Sequence, residues 1–226
     1  MSSRQLKTVA CLNPGRPLRE GPPDAVDCRK IEPLYRRFFG ASLYTLRHQT
    51  FAGGWTPPIE REVYERGHAV AILPYDPRTD RLVLIEQFRI GALVAGWHPW
   101  VVEIAAGIIE PGESPDEVAR RETREETGLA VQRLEFVAHL LSTPGGSSET
   151  VAVYCAEVDA TKAPEHGGLV EETEDIRVFT MPVDEALAAM DRGSVNNACT
   201  FLALQWLALN RDSLRRRWLN DKETPR

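Results

Sequence analysis

The chain has 226 residues, of which 42% are hydrophobic and 27% charged. That is the composition of a globular protein built as one domain with an extension or as two small domains. Asp and Glu number 33 against 27 Lys and Arg, for a net charge of -6, and this balance argues against nucleic acid as the main partner. The most apolar stretch, Val101 to Ile109, is cut by Glu103 and closed by Pro111, so no segment is long enough to span a membrane.

Met1 to Asn13 carries Arg4 and Lys7 with no apolar run behind them, unlike a secretory signal. Cys11, Cys28, Cys155 and Cys199 form no C-x-x-C pair and no zinc pattern; free thiols in a reducing cytoplasm are expected. Pro14, Pro17, Pro22, Pro23 and Pro33 crowd the next segment, and residues 1–33 are expected to be an irregular lead-in. A β region is expected over 34–64, with strands at Leu43 to Phe51 and Glu60 to Glu65. His68 to Tyr75 and Arg81 to Phe88 read as a hairpin around Asp76-Pro77, and Val101 to Ile109 as one further strand.

Ser114 to Thr127 is the clearest helix. Ser114 can cap it, Pro115 takes its first position, Glu117 completes a capping box, and Gly128 suits the left-handed residue that ends it. Strands follow at Val131 to Leu141, Thr150 to Val158 and Ile176 to Met181, then helices at Val183 to Met190 and Asn197 to Trp218. The last helix carries an apolar stripe through Phe201, Leu202, Leu204, Leu207 and Leu209. The mixture is α+β. Trp97-His98-Pro99-Trp100 reads either as a linking loop or as part of a dimer surface.

The chemistry concentrates in GIIEPGESPDEVARRETREETGL, residues 107–129. Glu122, Glu125 and Glu126 share one face of the helix, within an arc of about 100°. Like charges at this spacing repel, and a divalent cation would remove the repulsion. Carboxylates with bound waters match what Mg²⁺ requires. Taken alone, such a run is usually a solvated face laced by pairs such as Arg121 with Glu125.

The wider pattern decides otherwise. Gly107, Glu113, Arg121, Glu122, Glu125, Glu126 and Gly128, followed by an apolar residue, resembles the signature of the Nudix hydrolase family. Chance would produce this match on the order of once in 10⁶ chains of this length. Thr123 departs from the aliphatic residue usual there. The spacing of Pro144 in STPGG resembles the ADP-ribose pyrophosphatase branch, as do RGHAVAILPYDP, EQFRIGAL and NNACTFLALQWL.

This resemblance implies an α/β/α sandwich with a mixed β-sheet over 65–226, plus an N-terminal antiparallel β region. It implies hydrolysis of ADP-ribose to AMP and ribose 5-phosphate with two or three Mg²⁺, or Mn²⁺ as a substitute. Another nucleotide sugar or dinucleotide such as GDP-mannose or NADH is the alternative; a non-enzymatic nucleotide sensor is a third, disfavoured by the intact carboxylates. Carried over residue by residue, Glu122, Glu126, the Ala106 carbonyl and Glu174 would be metal ligands, with Glu125 a ligand or outer partner. Arg121 would orient the cluster, Glu113 would be structural, and Gly107 and Gly128 would permit turns. Glu172 would be the general base, on a loop made mobile by Gly167 and Gly168.

Substrate recognition follows from the same likeness. Phe38 and Arg61 would come from the partner subunit of a homodimer, while Glu62, Arg66, Ile108, Thr143, Pro144 and Gly145 would line the pocket, with Glu149 near the ribose. From residue type alone, Arg89 suits either a phosphate or a surface salt bridge. Phe38 and Phe39 suit either an adenine or a core.

Overall fold

The computed structural model describes residues 25–220. The expectations for Met1 to Asn13, and for Cys11 and the prolines up to Pro23, lie outside the described residues. The chain forms two compact units. One runs up to Arg66 and includes Thr143–Glu149; the other holds Gly67–Ser142 and the chain from Thr150 onward.

In the first unit β1 (Val26–Arg36), β2 (Gly40–His48) and β3 (Ile59–Glu65) form an antiparallel sheet in that order. β1 therefore begins inside the segment expected to be irregular. Pro33 is accommodated because β1 is an edge strand and its register shifts between Pro33 and Tyr35, the positions where a missing N–H does least harm.

The second unit is a three-layer sandwich. Its strands are β4 (Ala69–Asp76), β5 (Arg81–Phe88), β6 (Trp100–Glu103), β7 (Ala105–Ile108), β8 (Arg133–Leu141), β9 (Thr150–Glu157), β10 (His166–Gly167) and β11 (Ile176–Pro182). The order is β10-β11-β5-β4-β9-β8, with β6 on β5 and β7 on β4; β4 and β9 run parallel. Every residue of β4 is buried, as in a strand covered on both faces. Its alternation sends Ala69, Ala71, Leu73 and Tyr75 toward α3 (Val183–Asp191) and α4 (Ala198–Asn220). Val70 and Ile72 pack instead with Val118 and Ala119 of α2 (Pro115–Thr127). A five-residue helix, α1 (Ile90–Val94), was not expected; it joins β5 toward β6 and buries none of its residues.

Two further expectations are corrected. Val101 to Ile109 is two strands. β4 and β5 pair with each other only at Tyr75–Leu82 and Asp76–Arg81. Where they diverge, β6 takes β5 and β7 takes β4. The chain changes partner at Ile104, whose N–H leaves the ladder and donates to Thr200 Oγ1 at 3.0 Å. On α4 the buried face is Thr200, Ala203, Leu204, Leu207, Leu214 and Trp218, whereas Leu209 is 87% exposed. The 3.6-residue period carries Phe201 and Leu209 to another side of the helix from Leu204 and Leu207.

Candidate active site

α2 presents the acidic cluster to the sheet. Ser114 Oγ accepts the Glu117 N–H, and the Glu117 carboxylate accepts the Ser114 N–H at 2.8 Å. Gly128 closes the helix at φ 68°. Thr123 is buried, and its hydroxyl donates to the Ala119 carbonyl at 2.7 Å. The departure from an aliphatic residue is thus satisfied within the helix.

Each α2 carboxylate has a partner. Arg121 Nη1 donates to Glu122 Oε1 at 2.6 Å and to Glu125 Oε2 at 3.0 Å. Its Nε donates to Glu113 at 2.9 Å, and its Nη2 to Glu113 at 3.1 Å and to the Ile108 carbonyl at 3.4 Å. One guanidinium therefore orients three carboxylates. Glu126, 2% exposed, accepts the Ala106 N–H at 2.8 Å. Burial pushes its carboxyl up to about 8; the Ala106 N–H and Arg89 oppose the rise, and the charges of Glu122 and Glu174 add to it. Burial also raises Glu122, against the pull of Arg121.

Gly107 serves a different purpose from the one expected. It lies within β7, and a Cβ there would fall 1.8 Å from Glu122 Oε1. A side chain there would have to displace that carboxylate, so the glycine answers its approach and not a turn. The glycines of the second acidic segment also sit against close neighbours. A Cβ on Gly167 would lie 2.0 Å from the Glu126 carbonyl, and Gly168, at φ 90°, donates its N–H to the Glu125 carbonyl at 2.9 Å. They dock the loop on the end of α2. Glu174 is fixed by the Leu169 N–H at 3.0 Å. Glu172 ends a single 3₁₀ turn, Val170–Glu172, and is exposed.

Among the described residues, no group of three or more Asp, Glu, His or Cys side chains already stands in ion-holding geometry. The donor set nevertheless suits a hard divalent cation. Buried Glu126 has Glu122 and Glu174 as like-charged neighbours, and their oxygens are the ligands Mg²⁺ prefers.

Arg89 does not stand alone. Its Nε donates to Glu103 Oε2 at 2.6 Å. Glu103 was noticed in the sequence only as the charge interrupting an apolar run. A lone carboxylate in such a strand demands a partner, and that signal could have found the pair.

In the first unit, the loop between β1 and β2 carries Phe38, 83% exposed, edge-on to Phe39 at 4.6 Å. A buried-core reading of Phe38 is thereby excluded. Phe39 meets Tyr64 at 5.4 Å and lies under the Arg66 guanidinium at 5.6 Å. Arg66 also pairs with Glu149 at 3.0 Å. The Thr143 carbonyl receives the N–H groups of Gly146 and Ser147, and the Gly146 carbonyl receives that of Tyr64 at 2.8 Å. This unit thus gathers Phe38, Phe39, Arg66, Glu149 and the Thr143-Pro144-Gly145 turn. Along β3, Glu62 alternates to the side of Tyr64 and Arg61 to the opposite side. Tyr64 had not been singled out.

A sandwich with a carboxylate helix packed against the split between β4 and β5 defines a class, and the family profile described as NUDIX domain matches residues 65–200. The chain belongs to the Nudix family. Over 187 residues it is 46% identical to the ADP-ribose pyrophosphatase of Escherichia coli strain K12, covering 83% of this chain and 90% of that one. It is 37% identical over 193 residues to the ADP-ribose pyrophosphatase of Haemophilus influenzae, covering 83% and 88%. It is also 36% identical over 186 residues to a GDP-mannose pyrophosphatase of Cronobacter sakazakii, covering 79% and 95%. A solved structure described as an ADP compounds hydrolase shares the fold, with a TM-score of 0.63 at 23% identity over 89% of this chain and 98% of the other. No described helix is long and apolar enough to cross a membrane.

Proposed function

We propose that this protein hydrolyses the diphosphate of ADP-ribose to AMP and ribose 5-phosphate, using Mg²⁺ or Mn²⁺. The observation that carries the reading is the α2 cluster: buried Glu126 and half-buried Glu122 and Glu125, each oriented by a hydrogen bond, on a helix that needs no such cluster for its own stability. Glu122, Glu126, Glu174 and the Ala106 carbonyl would hold two or three ions, with Glu125 as a further ligand or outer partner. Bound there, the ions would neutralise the diphosphate oxygens and make water more acidic. Glu172 takes the proton of the attacking water. A new P–O bond forms as the bond from phosphorus to the bridging oxygen breaks, and that oxygen leaves on the other phosphate. Arg89 offers its guanidinium to the diphosphate.

Phe38, Phe39, Arg61, Glu62, Arg66, Ile108, the Thr143-Pro144-Gly145 turn and Glu149 are assigned to the nucleoside and ribose. The N-terminal β region over 34–64 is assigned to dimerisation and substrate contacts, and 65–226 to the hydrolase domain. The homodimer is supported by α1 and its flanks, where Ile90, Leu93, Val94, Phe88, Trp97 and Trp100 are all exposed, a run of apolar side chains that a partner subunit would cover. Light scattering that returned the mass of one chain would remove it. A reducing cytoplasm suits the free thiols of Cys28 and Cys155.

GDP-mannose is the second reading, favoured by the Cronobacter relative. A substrate panel decides: kcat/KM for ADP-ribose should exceed that for GDP-mannose and NADH. The reverse order would transfer the assignment, and nucleotide binding without Mg²⁺-dependent hydrolysis would point to a sensor.

A further inference from the structure

The Arg89–Glu103 pair raises a question that charge alone does not answer. If Arg89 only attracted a diphosphate, a carboxylate 2.6 Å from its Nε would weaken that attraction. The strand register shows where the pair stands. Ile85 pairs with Glu103 and Gln87 with Val101, so the two partners of each rung share a face. Val83 and Ile85 pack with Val118 and Ala119 of α2. By alternation Gln87, Arg89 and Glu103 project to that same side, which is the layer holding the acidic helix. Arg89 is also one of the charges acting on Glu126. Gln87 buries an amide Nε2 there for which the described residues offer no acceptor.

The arginine is held at both ends. Its backbone N–H donates to the Pro99 carbonyl at 2.7 Å, and Glu103, with a side chain only 17% exposed, holds Nε. A half-exposed arginine otherwise samples many rotamers, and ordering it on a ligand is entropically unfavourable. Gripping Nε removes that freedom while leaving Nη1 and Nη2, the fork that matches phosphate oxygens.

We infer that Glu103 is a positioning residue: it sets the guanidinium of Arg89 so that its two terminal amino groups meet the substrate's diphosphate. The inference rests on the proposed diphosphate hydrolysis. A purely structural role as a staple between β5 and β6 is the competing account.

A double-mutant cycle separates the two. In the full-length protein with Mg²⁺ and ADP-ribose, Arg89→Ala and Glu103→Ala are each expected to lower kcat/KM by about 10–100-fold, largely through KM. The double variant is expected to fall within about twofold of Arg89→Ala, because Glu103 acts only through that arginine. Glu103→Gln keeps an oxygen for Nε and should recover most of the loss, which also guards against a folding defect in the alanine variant. Losses that multiply in the double variant would overturn the inference. So would a Glu103→Ala enzyme with normal kcat/KM and a lowered Tm. A wild-type protein that hydrolyses no ADP-ribose would instead overturn the functional reading, and this inference with it.

Discussion

On α2, Glu122 and Glu125 share the guanidinium of Arg121, and Glu126 takes a backbone N–H from the neighbouring strand. The acidic segment after Gly168 is organised differently: Glu174 is tied to the Leu169 N–H, while Glu172, two residues earlier, stands in solvent at the end of a 3₁₀ turn. Ligands of a cation need fixed oxygens, and a base that takes a proton from water needs access to that water. One segment thus supplies both kinds of carboxylate two residues apart, whereas α2 supplies only the fixed kind.

The comparison breaks most visibly at Glu172. Glu172→Gln is expected to lower kcat by about 10²–10⁴ with a modest change in KM, and to leave Tm alone because the side chain is exposed. Steady-state kinetics beside a melting curve checks both halves; near-normal turnover would exclude Glu172 as the base.

Glu126 should report through stability. Burial lifts its carboxyl from 4.5 to about 8, so the folded protein keeps a proton that the unfolded chain releases. That contribution is fully present below pH 4.5 and is lost as the pH rises through about 8. Glu122, raised by burial as well, acts in the same direction. The metal-free protein in EDTA should therefore lose stability across that window, by something on the order of a few kcal/mol. Glu126→Gln should flatten the loss, and Mg²⁺ should offset it in the wild type by taking the place of the proton. Melting curves from pH 5 to 8 decide; a wild-type profile no steeper than that of the variant would contradict the fixed, buried role given to Glu126.

Gly107→Ala tests the fit between β7 and α2. The added methyl would enter the space of the Glu122 carboxylate, a clash expected to cost about 1–3 kcal/mol and to weaken Mg²⁺ activation with it. A variant with unchanged Tm and unchanged Mg²⁺ titration would show that the carboxylate moves aside freely.

Much of this was legible in the residues. The capping box, Pro115 and Gly128 bounded α2 correctly because helix ends are written in local side chains. The acidic face followed from helical periodicity, and β4 and β5 from their runs of Val, Ile and Leu. What escaped was non-local. Val101 to Ile109 looks like one strand until its two partners diverge, and only the tertiary pairing reveals a break at Ile104. The need for glycine at 107 and 167 arises from an approaching helix; the family resemblance implied a turn at 107, and local rules offered only a mobile loop at 167. Glu103 and Tyr64 acquire meaning only from Arg89 and Phe39, which are distant in the chain or on another strand.

Ser114→Ala should have the smallest effect and isolates what holds the α2 carboxylates in place. The lost cap removes an acceptor from the first turn, about 1 kcal/mol, which in a protein of this size is a fall of roughly 2–4 °C in Tm. Glu122 and Glu126 lie in the later turns and take their hydrogen bonds from Arg121 and Ala106, so the Mg²⁺ dependence and kcat/KM should stay at wild-type values. Differential scanning calorimetry paired with a Mg²⁺ titration measures both. If uncapping the helix weakened Mg²⁺ activation as much as Glu126→Gln does, the carboxylates would owe their placement to the stability of the whole helix and not to their own partners.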